Sequence, residues 1–322
     1  MSLLQQVITK YEHEGFMCLF AAVLRKAAGK IFHITERFER MQKHKRIMRY
    51  LRENYGYVIS KFTPPQSKPK HVSEFKGVIW SMWWQGEANC PDVIKLCLAS
   101  IRKHCGSHRL IVITKDNYQD YITLPQHIIS KVKLNNITLT HLSDIIRVNL
   151  LAKYGGLWMD STLFAAGDIP EEIFSMELYT IKRVSKPNYS NSVISWSRWT
   201  SYCLSAPDSN SLLFAFMSEL FSEYWKTHDT LIDYLLVDYV IAIAFEEFSE
   251  IYQAWNKIPV NNTCCWALSH GGFLKEEWDS EKYSRLIANN TFFKLTYKDN
   301  FTRETSLGKE TTYGHLLSEY NI

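Results

Sequence analysis

The sequence lacks the marks of several protein classes. Its seven cysteines form no CxxC pair and no regular spacing, which argues against a zinc site or a disulfide framework and favours a reducing cytosol. The first residues carry neither the basic segment nor the cleavage site of a signal peptide. The apolar run at 16–24 spans nine residues, which is too short to cross a bilayer. These absences predict a cytoplasmic protein without a transmembrane helix.

The chain has little net charge, but its charge is unevenly placed. The formal net charge is +4 over 322 residues, yet residues 23–70 hold thirteen lysines and arginines against three glutamates, so the remainder is acidic. A basic segment beside an acidic body predicts an anionic partner. Nucleic acid is a poor candidate for that partner, because no recognised motif supports it and the acidic body opposes it.

The basic segment has the pattern of an amphipathic helix. Residues 34–55 interleave arginines and lysines with apolar side chains such as Ile47 and Leu51. Two interpretations fit this pattern. The helix either packs on the body with a solvated face, or lies on an anionic membrane surface through residues 23–62, where each basic residue contributes about 1 kcal/mol. Three prolines at 63–70 predict a linker, so the expected organisation is an extension (1–62), the linker (63–70) and a catalytic domain (71–322).

The rest of the sequence alternates strand and helix patterns. Strands are expected at 77–84, 110–114, 157–164, 178–182 and 193–196, and helices at 3–30, 91–104, 138–154, 210–228 and 231–248. This alternation predicts an α/β fold with a largely parallel sheet. In such sheets the ligand binds beyond the carboxyl ends of the strands.

Residues 143–164 carry the most informative pattern. Asp144 and Arg147 are three apart on a predicted helix and therefore share a face. Gly155 and Gly156 end that helix, and the strand that follows is apolar until Asp160. An aspartate that closes a buried strand needs a partner such as a metal, a ribose hydroxyl or an arginine. Taken singly, these residues fit an ordinary ion pair and a turn cap, but the ordered set predicts a ligand site.

This segment resembles the SDxxRxxxLxxxGGxYxD core of the DXD-motif sugar transferases, a clan that includes the family 32 glycosyltransferases. Within that clan, GGLWMDST at 155–162 is most similar to the capsular polysaccharide synthesis proteins. The stretches at 78–86, 233–239 and 294–298 agree with it, so the resemblance spans approximately 70–300. It implies a GT-A type, Rossmann-like nucleotide-sugar-binding fold with an N-terminal helical extension.

The resemblance also implies a set of donor-binding residues. The acid and the arginine of the helix would hold the donor's sugar hydroxyls and diphosphate, for which an arginine is well suited. The second glycine would let the backbone come close, and residues of the first strand would meet the nucleotide base by stacking or a backbone contact. Core packing of a tryptophan in that strand fits equally well. The donor-binding candidates are Asp144, Arg147, Gly156, Trp158, Trp80 and Ser81.

A divalent cation is implied as well, with one departure from the family pattern. Asp160 stands in the first acidic position of DXD, which reaches the ribose and a Mn²⁺ or Mg²⁺ ion that bridges the phosphates. The second acidic position is Thr162, whose hydroxyl is a weaker ligand for a hard cation. The metal would then be weakly held, ligated from elsewhere or dispensable. His270 is a candidate second ligand, or an ordinary surface histidine beside a Gly-Gly turn.

Further candidates belong to the catalytic centre and the acceptor side. Asp233 and Asp238 lie five apart in an apolar stretch, about 140° apart on a regular helix, so they need not face one site. One of them, together with Asp160, is expected to be catalytic, either as the general base of an inverting reaction or by steadying an oxocarbenium-like centre in a retaining one. Arg198 and Trp199 are candidates for contacts with a lipid-linked diphosphate and a sugar ring.

The resemblance implies a glycosyltransferase that moves a sugar from a UDP-sugar to a growing, lipid-linked glycan of capsular or O-antigen type. Retention is expected because family 32 members retain, and the inner face of the plasma membrane is the expected location. The alternative is a non-catalytic protein that binds nucleotide sugar or glycan in a polysaccharide pathway. Thr162 in place of an acid favours that alternative.

Overall fold

The computed structural model describes residues 33–63 and 74–322. Its helices are α1 (His33–Lys61), α2 (Asp92–His104), α3 (Tyr118–Tyr121), α4 (Gln126–Lys133), α5 (Leu139–Tyr154), α6 (Leu212–Thr227), α7 (Leu236–Glu247), α8 (Ser249–Lys257), α9 (Ser280–Ile287) and α10 (Thr312–Glu319). Its strands are β1 (Ile79–Met82), β2 (Leu110–Ile113), β3 (Gly156–Met159), β4 (Leu163–Ala165), β5 (Tyr179–Thr180), β6 (Cys203–Ala206) and β7 (Phe292–Lys294).

The central sheet is mixed and has the order β2-β1-β3-β6-β5. Strands β1, β2 and β3 run parallel, whereas β6 runs antiparallel to both β3 and β5. A second, two-stranded sheet pairs β4 with β7, and Leu163 stands opposite Lys294. The predicted α/β fold is confirmed, but the sheet is mixed and not largely parallel as expected, because β6 joins β3 and β5 by antiparallel pairing. The GT-A assignment stays a prediction.

The junction between α5 and β3 follows the predicted glycine stop. Thr138 caps the helix at its start by accepting a hydrogen bond from His141 N, and Gly155, with φ of 72°, ends it. Gly156 has φ of 92°, and a Cβ there would lie 2.3 Å from the carbonyl oxygen of Val78. The close approach that Gly156 permits is therefore to the backbone beside β1, and not to a ligand as the sequence suggested.

The strand expected at 157–164 is interrupted. Strand β3 ends at Met159, and a turn closed by the hydrogen bond from Leu163 N to the carbonyl of Asp160 leads into β4. Asp160 consequently lies at the carboxyl end of a buried strand, as predicted. The strand expected at 193–196 is wrong, because that segment turns back on itself and Trp196 has φ of 46°. The helix expected from 231 begins only at Leu236.

Helix α1 contains the predicted basic helix and packs into the core. Leu51 and Val58 are fully buried, and the helix lies against α6 and α7. Arg52 forms ion pairs with Glu246 and Glu247 at the end of α7. The interpretation of a helix packed on the body is thus confirmed for the apolar side of α1. The helix expected at 3–30 and the linker residues 64–70 lie outside the described residues.

No helix within 33–63 or 74–322 has the length and apolar character that crossing a membrane requires. The apolar interior comprises a main cluster around the central sheet and a second one beneath the β4–β7 sheet. Phe164 of β4 and Phe293 of β7 are fully buried in the second cluster. This packing brings the C-terminal part of the chain against the carboxyl end of β3.

Candidate active site

Four charged side chains meet at the carboxyl end of β3. Arg147 of α5 donates from Nη1 to Oδ1 of Asp144 at 2.8 Å and from Nη2 to Oδ1 of Asp160 at 2.8 Å. Lys294 of β7 donates from Nζ to Oδ2 of Asp160 at 2.7 Å. The sequence predicted that Asp144, Arg147 and Asp160 would come together, and the structure confirms it. We call these four residues the charge cluster.

Trp158 forms the floor of the charge cluster. Its ring lies under the guanidinium of Arg147, 4.9 Å from centroid to Cζ, and its Nε1 donates to Oδ1 of Asp160 at 2.8 Å. The indole is fully buried. Trp158 therefore supports the arginine and the aspartate from below, and its ring is not a free face on which a ligand could stack.

Lys294 is the member of the charge cluster that sequence reasoning missed. Its Nζ also donates to Oγ1 of Thr162 at 2.6 Å and lies 4.6 Å from the ring centroid of Tyr202. The stretch 294–298 agreed with the family pattern, which was the available signal. The sequence around Lys294 could not show that this lysine pairs with Asp160, because 134 residues separate the two in the chain.

The electrostatics of the cluster keep Asp160 ionised. Burial of the carboxylate opposes ionisation, but the positive charges of Lys294 and Arg147 outweigh burial and lower the pKa of Asp160 to about 2. Hydrogen bonds from Lys294 and Trp158 act in the same direction. At neutral pH, Asp160 is an anion enclosed by donors, and both of its oxygens are engaged.

These residues do not fit a divalent cation. Both oxygens of Asp160 already accept hydrogen bonds, and an ammonium lies between Asp160 and Thr162. His270 lines the same cleft, and because its contact with Oγ of Ser269 at 3.1 Å uses Nδ1, it could offer only Nε2, a single imidazole ligand. Across the described part of the chain, no group of three or more His, Cys, Asp or Glu side chains is arranged to hold a metal ion. A hard cation prefers several free oxygen ligands, which this cluster does not offer.

Two cavities open on either side of the charge cluster. The first, which we call the tryptophan cavity, has a volume of about 540 Å³, and its lining includes Trp83, Trp84, Ser143, Thr162, His270 and Lys298. The second, the Asp238 cavity, has a volume of about 320 Å³, and its lining includes Asp144, Arg183, Asn191, Trp199, Thr200 and Asp238. Arg147, Asp160 and Lys294 line both, so the charge cluster stands at their junction.

Asp238 is the acid of the predicted pair that faces the cleft. It lies in the first turn of α7, is 6% exposed, and accepts a hydrogen bond from Nε1 of Trp199 at 2.9 Å. Burial raises the pKa of Asp238 to about 7, and the hydrogen bond from Trp199 only partly opposes this effect. A carboxyl group with such a pKa exchanges its proton near neutral pH, which suits a catalytic acid or base.

The structure corrects several sequence-based assignments. Asp233 forms an ion pair with Lys43 of α1 at 2.6 Å, and its Oδ1 caps the turn before α7 by accepting from Leu235 N. It lines neither cavity. A catalytic role for Asp233 is therefore not supported, because the side chain is committed to holding α1 and the start of α7 in place.

Trp80 and Ser81 belong to the core and not to the donor site. Both are fully buried and line neither cavity. The indole Nε1 of Trp80 donates to the carbonyl of Gly155 at 3.0 Å, and its ring stacks on Tyr154. The alternative of core packing thus holds for Trp80. The tryptophans that reach the cleft from this part of the chain are Trp83 and Trp84, and Nε1 of Trp83 is buried without a hydrogen-bond partner among the described residues.

Of the two acceptor candidates, one lines a cavity and the other lies outside both cavities. Trp199 lines the Asp238 cavity, but it is almost fully buried and serves to hold Asp238. Arg198 lies over the ring of Trp199 at 4.6 Å, donates from Nε to the carbonyl of Ser195, and lines neither cavity. Arg183 lines the Asp238 cavity, and its Nε has no hydrogen-bond partner within the described residues. Arg183 is therefore better placed than Arg198 to contact an anionic group in the Asp238 cavity.

The chain is similar to a small number of known proteins. One is the solved structure of a PaToxG glycosyltransferase, which is 12% identical with a TM-score of 0.37, and the match covers 78% of this chain and 95% of that chain. None of the curated proteins compared with the chain matches it. The family model described as capsular polysaccharide synthesis protein matches residues 29–316 and thus takes in α1, both sheets and the charge cluster. The chain belongs to the capsular polysaccharide synthesis protein family.

Proposed function

We propose that this protein is a glycosyltransferase that moves a sugar from a nucleotide-sugar donor, a UDP-sugar, to a growing lipid-linked glycan of capsular or O-antigen type. The observation that carries the proposal is the charge cluster at the junction of two cavities, beyond the carboxyl ends of parallel strands. Membership of the capsular polysaccharide synthesis family supports the same reaction class.

The nucleoside diphosphate would occupy the tryptophan cavity. Trp83 and Trp84 supply ring surfaces for a base, and Arg147 and Lys294 supply positive charge for a diphosphate. The cavity volume of about 540 Å³ lies within the range usual for small-molecule sites. The donor sugar would then lie at the junction, within reach of Asp144 and Arg147.

Transfer would take place beside Asp238. The bond between the anomeric carbon and the β-phosphate oxygen breaks and its electron pair leaves with the nucleoside diphosphate. The acceptor hydroxyl bonds to the anomeric carbon on the same face, and its proton goes to the departing phosphate oxygen. The Asp238 carboxylate steadies the positive charge that builds up on the sugar ring. This course retains the anomeric configuration, as we infer for this enzyme.

The acceptor would enter through the Asp238 cavity, where Arg183 offers a cation to a lipid-linked diphosphate. The exposed basic side chains of α1 would hold the enzyme on an anionic membrane surface, which places it on the inner face of the plasma membrane. Arg37, Lys45, Arg49 and Lys61 are the exposed cations of that helix within its described side chains, and Lys61 pairs with Glu219.

Asp160→Asn tests the assignment. The amide keeps the shape but removes the charge that orients Arg147 and Lys294, so we expect sugar transfer to fall at least about 100-fold, as for loss of a preorganised electrostatic contact. Transfer from radiolabelled UDP-sugars to a membrane lipid extract would be measured, with the fold checked by circular dichroism. Asp168→Asn is the matched control, because Asp168 is 93% exposed and lies outside the cleft. Normal transfer by Asp160→Asn would contradict the proposal.

A second candidate function is a non-catalytic protein that binds nucleotide sugar or glycan. The ammonium of Lys294 and the hydroxyl of Thr162 at the position of a metal site favour it. The same assay separates the two functions, because a binding protein would bind UDP-sugars but neither hydrolyse nor transfer them.

A further inference from the structure

Lys294 lies between the first and third residues of the turn 160–162. Its Nζ is 2.7 Å from Oδ2 of Asp160 and 2.6 Å from Oγ1 of Thr162. In the DXD pattern that the sequence resembles, these two positions are acids that share a divalent cation. The ammonium group of Lys294 therefore stands in the place that such a cation would take.

The fold holds this lysine in place. Lys294 is the last residue of β7 and stands opposite Leu163 of β4. The next backbone N–H, of Leu295, donates to the carbonyl of Thr162 at 2.8 Å, which ties β7 to the turn itself. The side chain is 15% exposed, and its ammonium also lies 4.6 Å from the ring centroid of Tyr202. These contacts make Lys294 a built part of the site and not a flexible surface lysine.

The charges balance in the same way as in a metal site. Two carboxylates and a divalent cation sum to zero, and so do one carboxylate, a hydroxyl and an ammonium. Thr162 and Lys294 therefore match each other in charge. Thr162 has a hydroxyl where the DXD pattern has a second carboxylate, so one negative charge remains, and the single positive charge of Lys294 balances it. A divalent ion added at Oδ2 of Asp160 would lie beside the ammonium and be repelled by it.

Lys294 still has binding capacity for a ligand. An ammonium group has three N–H donors, and the protein uses two of them, on Asp160 and Thr162. The side chain lines both cavities at their junction. The third donor is left for an oxygen atom that enters the cleft, and a phosphate oxygen of the donor suits it.

We propose that the Lys294 ammonium takes over the role of a divalent cation, so that donor binding and sugar transfer proceed without metal. This inference rests on the proposed function. As the bond from the anomeric carbon to the β-phosphate oxygen breaks, the electron pair stays on that oxygen. The N–H of Lys294 donates a hydrogen bond to the phosphate as the charge grows, and no proton needs to leave the lysine.

The first test measures UDP binding to the full chain by titration calorimetry, in EDTA and in Mn²⁺. We expect the same affinity in both. Lys294→Met should weaken UDP binding roughly 10- to 100-fold, as expected for a charge-assisted hydrogen bond, whereas Lys294→Arg should keep most of it. Lys309→Met is the matched control, because Lys309 pairs with Glu277 outside the cleft, and it should bind UDP as the wild type does.

The second test builds the metal site that the chain lacks. In the double variant Lys294→Ala with Thr162→Asp, the ammonium is gone and a second carboxylate stands in the turn. We expect this variant to bind Mn²⁺, followed by electron paramagnetic resonance without nucleotide, and to bind UDP only when Mn²⁺ is present. The wild type should show no stoichiometric Mn²⁺ binding.

Three outcomes would overturn the inference. Wild-type UDP binding that requires Mn²⁺ would contradict the inference, and so would UDP binding with full affinity by Lys294→Met. Either result leaves the glycosyltransferase proposal standing. If the wild type binds no nucleotide in either buffer, the proposed function fails and the inference fails with it. If circular dichroism shows that Lys294→Met does not fold, the inference is tested by wild-type UDP binding in EDTA and in Mn²⁺ and by Lys294→Arg.

Discussion

Asp160 is the residue on which the positive charge of the cleft converges. Its carboxylate accepts from Arg147, Trp158 and Lys294, and its pKa is lowered to about 2 although burial opposes ionisation. A carboxylate that is largely removed from water, as Asp160 is with its side chain 25% exposed, is tolerated only when its charge is compensated in this way. The arrangement orients two cations toward the junction of the cavities, which is what a diphosphate-binding site requires.

Asp238 is the opposite case, an acid whose surroundings favour the neutral form. Within the described residues, no cation forms an ion pair with its carboxyl group, and the hydrogen bond from Trp199 together with the nearby charge of Arg147 does not offset burial. The two aspartates thus have pKa values that are far apart, one of about 2 and one of about 7. Such separation lets one carboxylate stay charged while the other responds to pH.

Asp238→Asn should therefore change stability in a pH-dependent way. The folded-state pKa of about 7 lies above the unfolded value near 3.8, so the folded protein holds the proton more tightly and the free energy of unfolding of the wild type falls as pH rises between these values. Relative to the wild type, Asp238→Asn should gain stability at pH 8, by up to about 4 kcal/mol, and little at pH 4. Chemical denaturation at both pH values measures this.

The same variant should lose sugar transfer, because the amide cannot carry the negative charge that we assign to Asp238. Wild-type transfer should rise with pH through about 7 as Asp238 ionises. An equal stability change at both pH values would contradict the raised pKa. Asp229→Asn, at an exposed carboxylate near α4, is a control for the substitution itself.

Among the elements, α1 combines a structural face with a charged one. Its apolar side chains, including Leu51 and Val58, are part of the main core. Lys43 and Arg52 pair with acids on or beside α7. Deletion of this helix would open the core, so charge reversal on the exposed face is the cleaner way to test membrane binding.

We expect the combined change Arg37→Glu, Lys45→Glu and Arg49→Glu to weaken binding to anionic vesicles by about 100-fold or more, since each basic residue near the surface contributes about 1 kcal/mol. Sedimentation with phosphatidylglycerol vesicles would measure the effect. The matched control is Lys257→Glu, Lys282→Glu and Arg285→Glu, which changes the net charge equally at exposed sites elsewhere. Equal losses in both variants would show a net-charge effect and contradict a role for α1.

Over the whole molecule, the cleft is assembled from distant parts of the chain. Strand β3 supplies Trp158 and the turn after it Asp160, α5 supplies Arg147, α7 supplies Asp238 and β7 supplies Lys294. A ligand that bridges these elements would bind the folded state only. Donor binding is therefore expected to stabilise the whole fold.

A thermal-shift screen of UDP-, GDP- and CMP-sugars should single out the UDP-sugars. A donor at 100 times its dissociation constant adds about 2.7 kcal/mol to the free energy of unfolding and raises the melting temperature. Uridine, which lacks the diphosphate, is the control and should give a smaller shift, since it cannot engage Arg147 and Lys294. Equal shifts for all three nucleotide classes would argue against a base-specific site.

Much of the fold and part of the site could be predicted from local pattern. The start of α5 at Thr138, its end at Gly155 and the place of Asp160 after an apolar strand all depend on residues close in sequence. The strand at 193–196 was wrong because Ile194 is buried within a turn, which apolar pattern alone cannot distinguish from a strand.

By itself, the sequence determined the α/β fold class, the family, and the meeting of Asp144, Arg147 and Asp160, because helix periodicity and the glycine stop act over a few residues. Only the tertiary structure decided that Asp238 and not Asp233 faces the cleft, that Trp80 is core, and that Lys294 reaches Asp160. These facts depend on strand pairing and packing between residues far apart in the chain. No local pattern records which cation will be brought against a partly buried carboxylate such as that of Asp160.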